Sequence, residues 1–418
     1  MTQSSTISLR YLLPLLASII AVSPLAIDMY LPAMLAIAND LNTSMPIVQN
    51  SLSIYLLGYS LGLVLFGPMA DKYSRRKLVI LGLTGFFIAN ILLPFVTNIE
   101  QFLSIRFFQA FISSAATVVV PGVIREYYGK DTAKGLSYVS MIMMVAPMLA
   151  PSIGSVLLLL HNWQLIFYVL SAYSFIVLCL VIYALPEVNR GDANTAVKNA
   201  AVKNGANTSQ EQSLTKQPVK ELTFVARYKI VLSHTKARLY LITSMLVSLA
   251  FFAYLTAISF LYLKVFQVSE YWFSILFALN VAGVMLAHFI NTRLITRHGS
   301  VAMLRAGLVL ACISVTALLI FNYNELPLIY TVLSLIPLMG SISMIAVNSD
   351  ALILTQFPEQ SGTATAVIGT LRWGVGSLAG PILAYFYDGS ALPFAYLMFG
   401  AIAVVLCCQL CIYQKKIA

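Results

Sequence analysis

Two ionisable residues stand inside long apolar runs of this sequence: Asp28, between Pro24 and Pro32, and Arg106, three residues after Leu103. Placing an ion in hydrocarbon costs about 2.5–3.5 kcal/mol even on insertion scales, so such residues usually face a cavity and a partner. Asp28 lies about eight residues from one end of its run and Arg106 about six from the same side, which puts both roughly 10 Å below one surface. Matched depth and opposite charge make them natural partners. A carboxyl group pulled one way by burial and the other by a guanidinium suits a proton that comes and goes. A static ion pair is the plainer alternative.

Arg372 is the third such ion, near the middle of its run, and Asp350 is its one plausible acidic neighbour. It could instead meet an anionic substrate or backbone carbonyls. Tyr30, Tyr55, Tyr59, Gln109, Tyr254 and Asn280 could add polar handles to an apolar cavity, though helix packing explains each as well. His288 reads as a packing residue. In Gly67-Pro68-Met69-Ala70-Asp71-Lys72-Tyr73-Ser74-Arg75-Arg76-Lys77, one acid sits among four cations. Asp71 there could stabilise a helix N-terminus or an arginine across a gate. Fixing topology is the simpler role for the cations.

These residues must be positioned by membrane helices. Of 418 residues, 60% are hydrophobic and 10% charged, and the mean hydropathy is +0.87. Apolar runs of membrane-spanning length recur at 11–36, 47–69, 78–97, 101–124, 136–159, 163–185, 239–262, 271–291, 301–321, 327–349, 361–386 and 391–413. The first is long for a signal peptide and holds Asp28. Of the 25 Lys and Arg, 22 fall at the termini, in loops after even-numbered runs or, as Arg305, at the start of the run after such a loop, and only Lys264 sits in an opposite loop. That bias places both termini in the cytoplasm. It also accounts for the net charge of +10 without nucleic acid, because the basic residues follow loop edges and form no single soluble face.

The pattern is therefore an all-α membrane protein of twelve transmembrane helices. Residues 1–186 form one six-helix bundle, 187–238 a polar cytoplasmic linker, and 239–418 a second bundle. The stretch 193–217 is too polar to bury a core, and a short amphipathic helix is expected near 223–232. The bundles echo each other. Ala146-x-x-x-Ala150-Pro151-x-x-Gly154 returns as Gly376-x-x-x-Gly380-Pro381-x-x-Ala384, 230 residues later. Gly67-x-x-x-Asp71 returns as Ala287-x-x-x-Asn291, 220 residues later. Parallel repeats with a substrate site between them are a transporter design. Small residues at this spacing let helices approach closely. The five cysteines lie in apolar runs and read as buried packing residues. No nucleotide-binding loop, zinc-ligand spacing or catalytic triad is present, so no enzyme activity, metal or cofactor is expected. A monomer is expected, since each chain carries both halves.

Ala26-Ile-Asp28-Met-Tyr30-Leu-Pro32-Ala resembles the first-span signature of the bicyclomycin/chloramphenicol-resistance (Bcr/CflA) family of the major facilitator superfamily. Residues 67–77 resemble its loop motif, with Met69, Lys72 and Ser74 as departures. Leu103-x-x-Arg106-x-x-Gln109-Ala110 resembles its fourth-span motif. The run from Ala146 resembles the antiporter motif g-x-x-x-G-P-x-x-G-G, with Ala146, Ala150 and Ser155 in small-residue positions. Gly362-Thr-Ala-Thr-Ala through Arg372-Trp-Gly374 is similar to its eleventh span. The resemblance implies the major facilitator fold and proton-coupled efflux of small, mostly apolar compounds across a bacterial inner membrane. It further implies Asp28 as the proton-binding carboxylate, Arg106 as its coupling partner, and Asp71, Arg75 and Arg76 at a cytoplasmic gate. Export of a metabolite, amino acid or siderophore on the same fold is the competing expectation, motivated by Arg372.

Overall fold

The computed structural model describes residues 9–128, 132–185, 229, 231–357 and 361–417. In chain order the helices are α1 (Leu9–Asp28), α2 (Met34–Asp40), α3 (Met45–Lys72), α4 (Arg75–Leu92), α5 (Ile99–Thr117), α6 (Val120–Tyr128) and α7 (Thr132–Leu160). They continue as α8 (Gln164–Ala184), α9 (Thr235–Ser259), α10 (Glu270–Tyr323), α11 (Leu328–Leu354), α12 (Ser361–Gly376), α13 (Ala379–Tyr385) and α14 (Leu392–Ile417). Ten apolar stretches among the described residues are long enough to cross a bilayer. One of them, α10, has 54 residues. At 1.5 Å each it would run about 80 Å, more than twice a hydrocarbon core. It doubles back at Gly299, where φ is 77° and ψ is 163°. With both arms of α10 and with α7 counted, the described residues make twelve crossings. The first joins α1 to α2, the fourth α5 to α6, and the eleventh α12 to α13.

Several crossings are broken, and the breaks have local causes. The first was expected as one run over 11–36, but α1 stops at Asp28, and α2 carries the crossing on to Asp40. Met29 N donates to Leu25 O at 3.1 Å as the last bond of the ladder. Pro32 cannot continue an α-helical ladder, and Leu31–Ala33 forms a 3-10 turn instead. The seventh crossing ends in a π-helical turn, Phe260–Val265. Such turns recur at functional sites.

Each half packs its own crossings closely at a glycine. In the fifth crossing, a Cβ at Gly154 would overlap the Met29 carbonyl of the first. In the eleventh, a Cβ at Gly376 would overlap the Phe252 ring of the seventh, the counterpart of the first. The fifth crossing also bonds to the eighth, and the eleventh to the second. Ser155 Oγ donates to Glu270 O at 2.9 Å, and Gly380 N donates to Ser53 Oγ at 2.8 Å. Both small-residue motifs thus pack within their own half and also bond across the join between the halves, where backbones come close.

The second echo is half visible. Asn291 is buried and accepts from Asn348 Nδ2 at 2.8 Å, whereas the side chain of Asp71 lies outside the described residues. Residues 186–228 also lie outside them, and with these most of the linker placed at 187–238 and of the surface helix placed at 223–232. The five cysteines are free, and only Cys408 is buried. The others pack partly against lipid-facing surface, a correction to their expected burial. His288 packs as expected, with its Nε2 2.6 Å from Ser343 Oγ.

Gly299 lies in a region of backbone space nearly reserved for glycine, where other residues carry about 1–3 kcal/mol of strain. Gly299→Ala should lower stability by about that amount. The exposed Arg297→Ala should change it by less than about 0.5 kcal/mol. Denaturant unfolding of the purified protein in detergent checks the difference.

Candidate functional site

Arg106 is fully buried, and the sequence folds a cage around it. Its Nη1 donates to Gln109 Oε1 at 2.7 Å, an i, i+3 neighbour on α5. Its Nη2 donates to the Ala26 carbonyl at 3.1 Å. The guanidinium carbon lies 4.3 Å from the Tyr30 ring centre and 4.6 Å from that of Tyr55. Gln109 Nε2 donates to Asn90 Oδ1 at 2.9 Å, and Asn90 Nδ2 to Phe86 O at 2.7 Å. Removing such an ion from water costs several kcal/mol. Two desolvated cation–π contacts of about 2 kcal/mol each and charge-assisted bonds of about 1.5–3 kcal/mol offset it.

The expected contact between Arg106 and Asp28 is not made in this structure. The depths match, but the helical phase does not. Ala26 and Asp28 are two positions apart, or roughly 200° around the axis. The break after Asp28 presents the Ala26 carbonyl and the Tyr30 ring to Arg106. Asp28, only 4% exposed, has no hydrogen bond or ion-pair partner among the described residues.

Further polar atoms are buried in this part of the first and seventh crossings and the helices beside them. The buried hydroxyls of Tyr254, Thr256 and Ser259 and Oδ1 of Asn280 have no hydrogen-bond partner among the described residues, while the Ser23 hydroxyl stands beside that of Tyr55. Asn280 keeps two bonds, from Nδ2 to Leu276 O at 3.0 Å and to the Tyr262 hydroxyl oxygen at 3.4 Å. Buried polar groups are normally satisfied, so this concentration marks a place for water or a polar ligand. Ser23, Thr256 and Ser259 escaped the sequence reading because hydroxyl residues are common in membrane helices. Asn90 carried a legible signal: it is an amide in the middle of an apolar run.

Farther along the interface, Tyr59 O–H lies 2.6 Å from Thr117 Oγ1. Its ring lies 4.3 Å from that of Trp373, which lies 5.3 Å from Phe252. Ser60 Oγ donates to Thr370 O at 2.9 Å beside them. Arg372, left open between Asp350 and an anion, pairs with Asp350. Ser244 Oγ donates to Asp350 Oδ1 at 2.8 Å and accepts from Arg372 Nη2 at 3.3 Å.

One end of the bundle is sealed between the halves, the end away from the basic loops. Gln49 Nε2 donates to Thr256 O at 2.8 Å. Ser155 and Ser274 hydroxyls lie 2.6 Å apart, and Ser274 Oγ is 3.0 Å from Pro151 O. Ala150 is buried, and Ala146 is partly so. At the basic end, Arg75 Nη1 donates to Gly122 O and Arg76 Nη2 to Ile182 O. Both bonds stay within the first half.

Gln109→Leu should cost about 1.5–3 kcal/mol, because it strips an acceptor from a buried cation. Tyr30→Phe keeps the ring, loses only the 3.1 Å contact with Ser51 Oγ, and should cost about 1 kcal/mol. Denaturant unfolding of both variants checks the order. Equal costs would remove the case for the cage.

The sequence profile of the Major Facilitator Superfamily matches residues 16–381. The chain is 27% identical over 384 residues to the bicyclomycin resistance protein homolog of Haemophilus influenzae, covering 91% of this chain and 90% of that one. It is 33% identical over 171 residues to multidrug resistance protein MdtL of Salmonella dublin, covering 41% and 43%. The partially occluded inward-open xylose transporter XylE from E. coli superposes with a TM-score of 0.70 at 15% identity, covering 97% of this chain and 98% of that one. A membrane bundle of twelve crossings, a site between its halves and a profile spanning most of its length lead to one assignment: the chain belongs to the major facilitator superfamily.

Proposed function

We propose that this chain is a proton-coupled multidrug exporter of the bacterial inner membrane, working by alternating access with both termini in the cytoplasm. Asp28 carries this reading, as a nearly buried acid in the broken first crossing with no hydrogen-bond or ion-pair partner among the described residues. An acid held this way can exchange its proton as the halves rock. The names of the relatives from Haemophilus and Salmonella support drug efflux, and the basic loops support the orientation. In this reading the sealed end faces outward, so proton and compound exchange with the cytoplasm. Rocking then exposes Asp28 to the outside, where it takes up a proton as the compound leaves. Arg106 acts through the backbone, gripping Ala26 two residues before Asp28. It thereby positions the broken end of α1. Tyr30, Tyr55, Tyr59, Gln109, Tyr254 and Asn280 serve the cavity, and Asp71, Arg75 and Arg76 the cytoplasmic gate. Each chain functions as a monomer, divided by the linker at 187–238.

Export of an anionic metabolite, amino acid or siderophore drew its support from an unpaired Arg372. Asp350 already neutralises that cation, which leaves the competing reading without its motive.

In inverted vesicles with an imposed pH gradient, the reconstituted protein should drive uptake of drugs, and a protonophore should abolish it. Asp28→Asn should lower uptake to the protonophore level, while Asp28→Glu keeps part of it. Gradient-driven uptake that survives Asp28→Asn would remove Asp28 from the coupling step.

A further inference from the structure

The ion pair between α11 and α12 has no task in proton exchange, and its setting is unlike that of Arg106. The Arg372 and Asp350 side chains are 32% and 25% exposed. Yet Arg372 lies eleven residues into α12 from Ser361, roughly 16 Å along the helix from its basic end. An ion pair facing lipid at that depth would be costly, so its exposure is to a water-filled cleft. The seal at the opposite end leaves the basic end as the way in. Next along the chain, Trp373 packs at a tilt against Tyr59 of the other half, with ring centres 4.3 Å apart.

The hydrogen bonds leave a donor unused. Nη2 of Arg372 serves both Asp350 and Ser244. Nε is buried without a partner. Nη1 makes no hydrogen bond among the described residues and is not buried. Both oxygens of Asp350 are engaged, one by Ser244 and one by Arg372. The site therefore offers an N–H donor beside an aromatic wall, with its positive charge already balanced.

We propose that Arg372, Asp350 and Ser244 form the cytoplasm-side docking subsite of the cavity, taking the acceptor oxygen of a net-uncharged compound, such as an ester, amide or sulfonyl group. Arg372 Nη1 donates to that oxygen, and the adjoining aromatic side chains cover the apolar body. Asp350 sets the charge preference: it keeps the arginine in place and disfavours anions. This deepens the drug-export reading and rests on it for the cavity's being the substrate route.

Binding at equilibrium tests the subsite without a proton gradient, so its outcome is independent of the Asp28→Asn experiment. The probes are one boron-dipyrromethene dye as the carboxylic acid and as its methyl ester, titrated by fluorescence anisotropy onto the full chain in nanodiscs. Wild type should bind the ester more tightly than the acid. Asp350→Asn leaves the arginine unbalanced and should shift the acid-to-ester affinity ratio about tenfold towards the acid, the difference between a charge-assisted and a neutral hydrogen bond. The neutral double variant Asp350→Asn with Arg372→Gln should lose the preference altogether. It also serves where an unbalanced arginine impairs folding. A ratio unchanged across the three proteins means a purely structural bridge and overturns the proposal. Absence of saturable binding of either dye to the folded wild type overturns it as well.

Discussion

The grip of Arg106 on a backbone carbonyl, rather than on a carboxylate, shapes the rest of the first half. A buried guanidinium needs partners, and here Ala26 O, Gln109 and two tyrosine rings supply them. Two consequences follow. The first crossing is pinned where its helical ladder fails, next to Pro32. Asp28, at that broken end, is left without a fixed counter-ion. Were the two charges locked together, proton exchange would have to break a buried ion pair, whose loss costs about 3–5 kcal/mol.

The seal between the halves is built to be reversible. Its bonds join neutral groups: serine hydroxyls, a glutamine amide and backbone carbonyls. Each contributes about 1 kcal/mol, because water competes for the same groups. Such a seal holds through the number and fit of its contacts, and cooperative rocking can undo it. Ser155 is instructive. The antiporter motif calls for glycine there, yet its hydroxyl reaches Glu270 O and Ser274. The small-residue position has gained a polar clasp while still permitting close approach.

What could be read in the sequence follows from which physical signal each feature leaves. Hydropathy marks crossings because the bilayer fixes a minimum apolar length, so all twelve were legible. The halves were legible because small residues repeat wherever backbones must touch. The depths of Asp28 and Arg106 were legible by counting residues. Their relative orientation was not, because it depends on helical phase and on a break whose angle only packing decides. The first run is expected as unbroken over 11–36; α1 passes through Pro24 and breaks only before Pro32, and no sequence signal says which carbonyl such a break frees. Elimination left Asp350 as the one candidate acid for Arg372, but an anion or backbone carbonyls stayed open until the geometry showed the pair. The unpaired hydroxyls around Tyr254 left no mark, since a serine bonded to its own helix and one facing a cavity look alike in sequence.

The halves handle charge in opposite ways, and that asymmetry matters more than their shared fold. In the first half cation and acid are separated, each with its own surroundings. In the second they are bound together with a serine between them, partly in water. A proton must alter the charge of its site to do work, and that requires an acid free of a fixed partner. A docking point for uncharged compounds must keep its charge constant, which a neutralised pair does. Pseudo-symmetric bundles can rock as equals, but coupling requires that they differ in what they bind. In this chain that difference resides in whether an arginine's carboxylate neighbour is within reach.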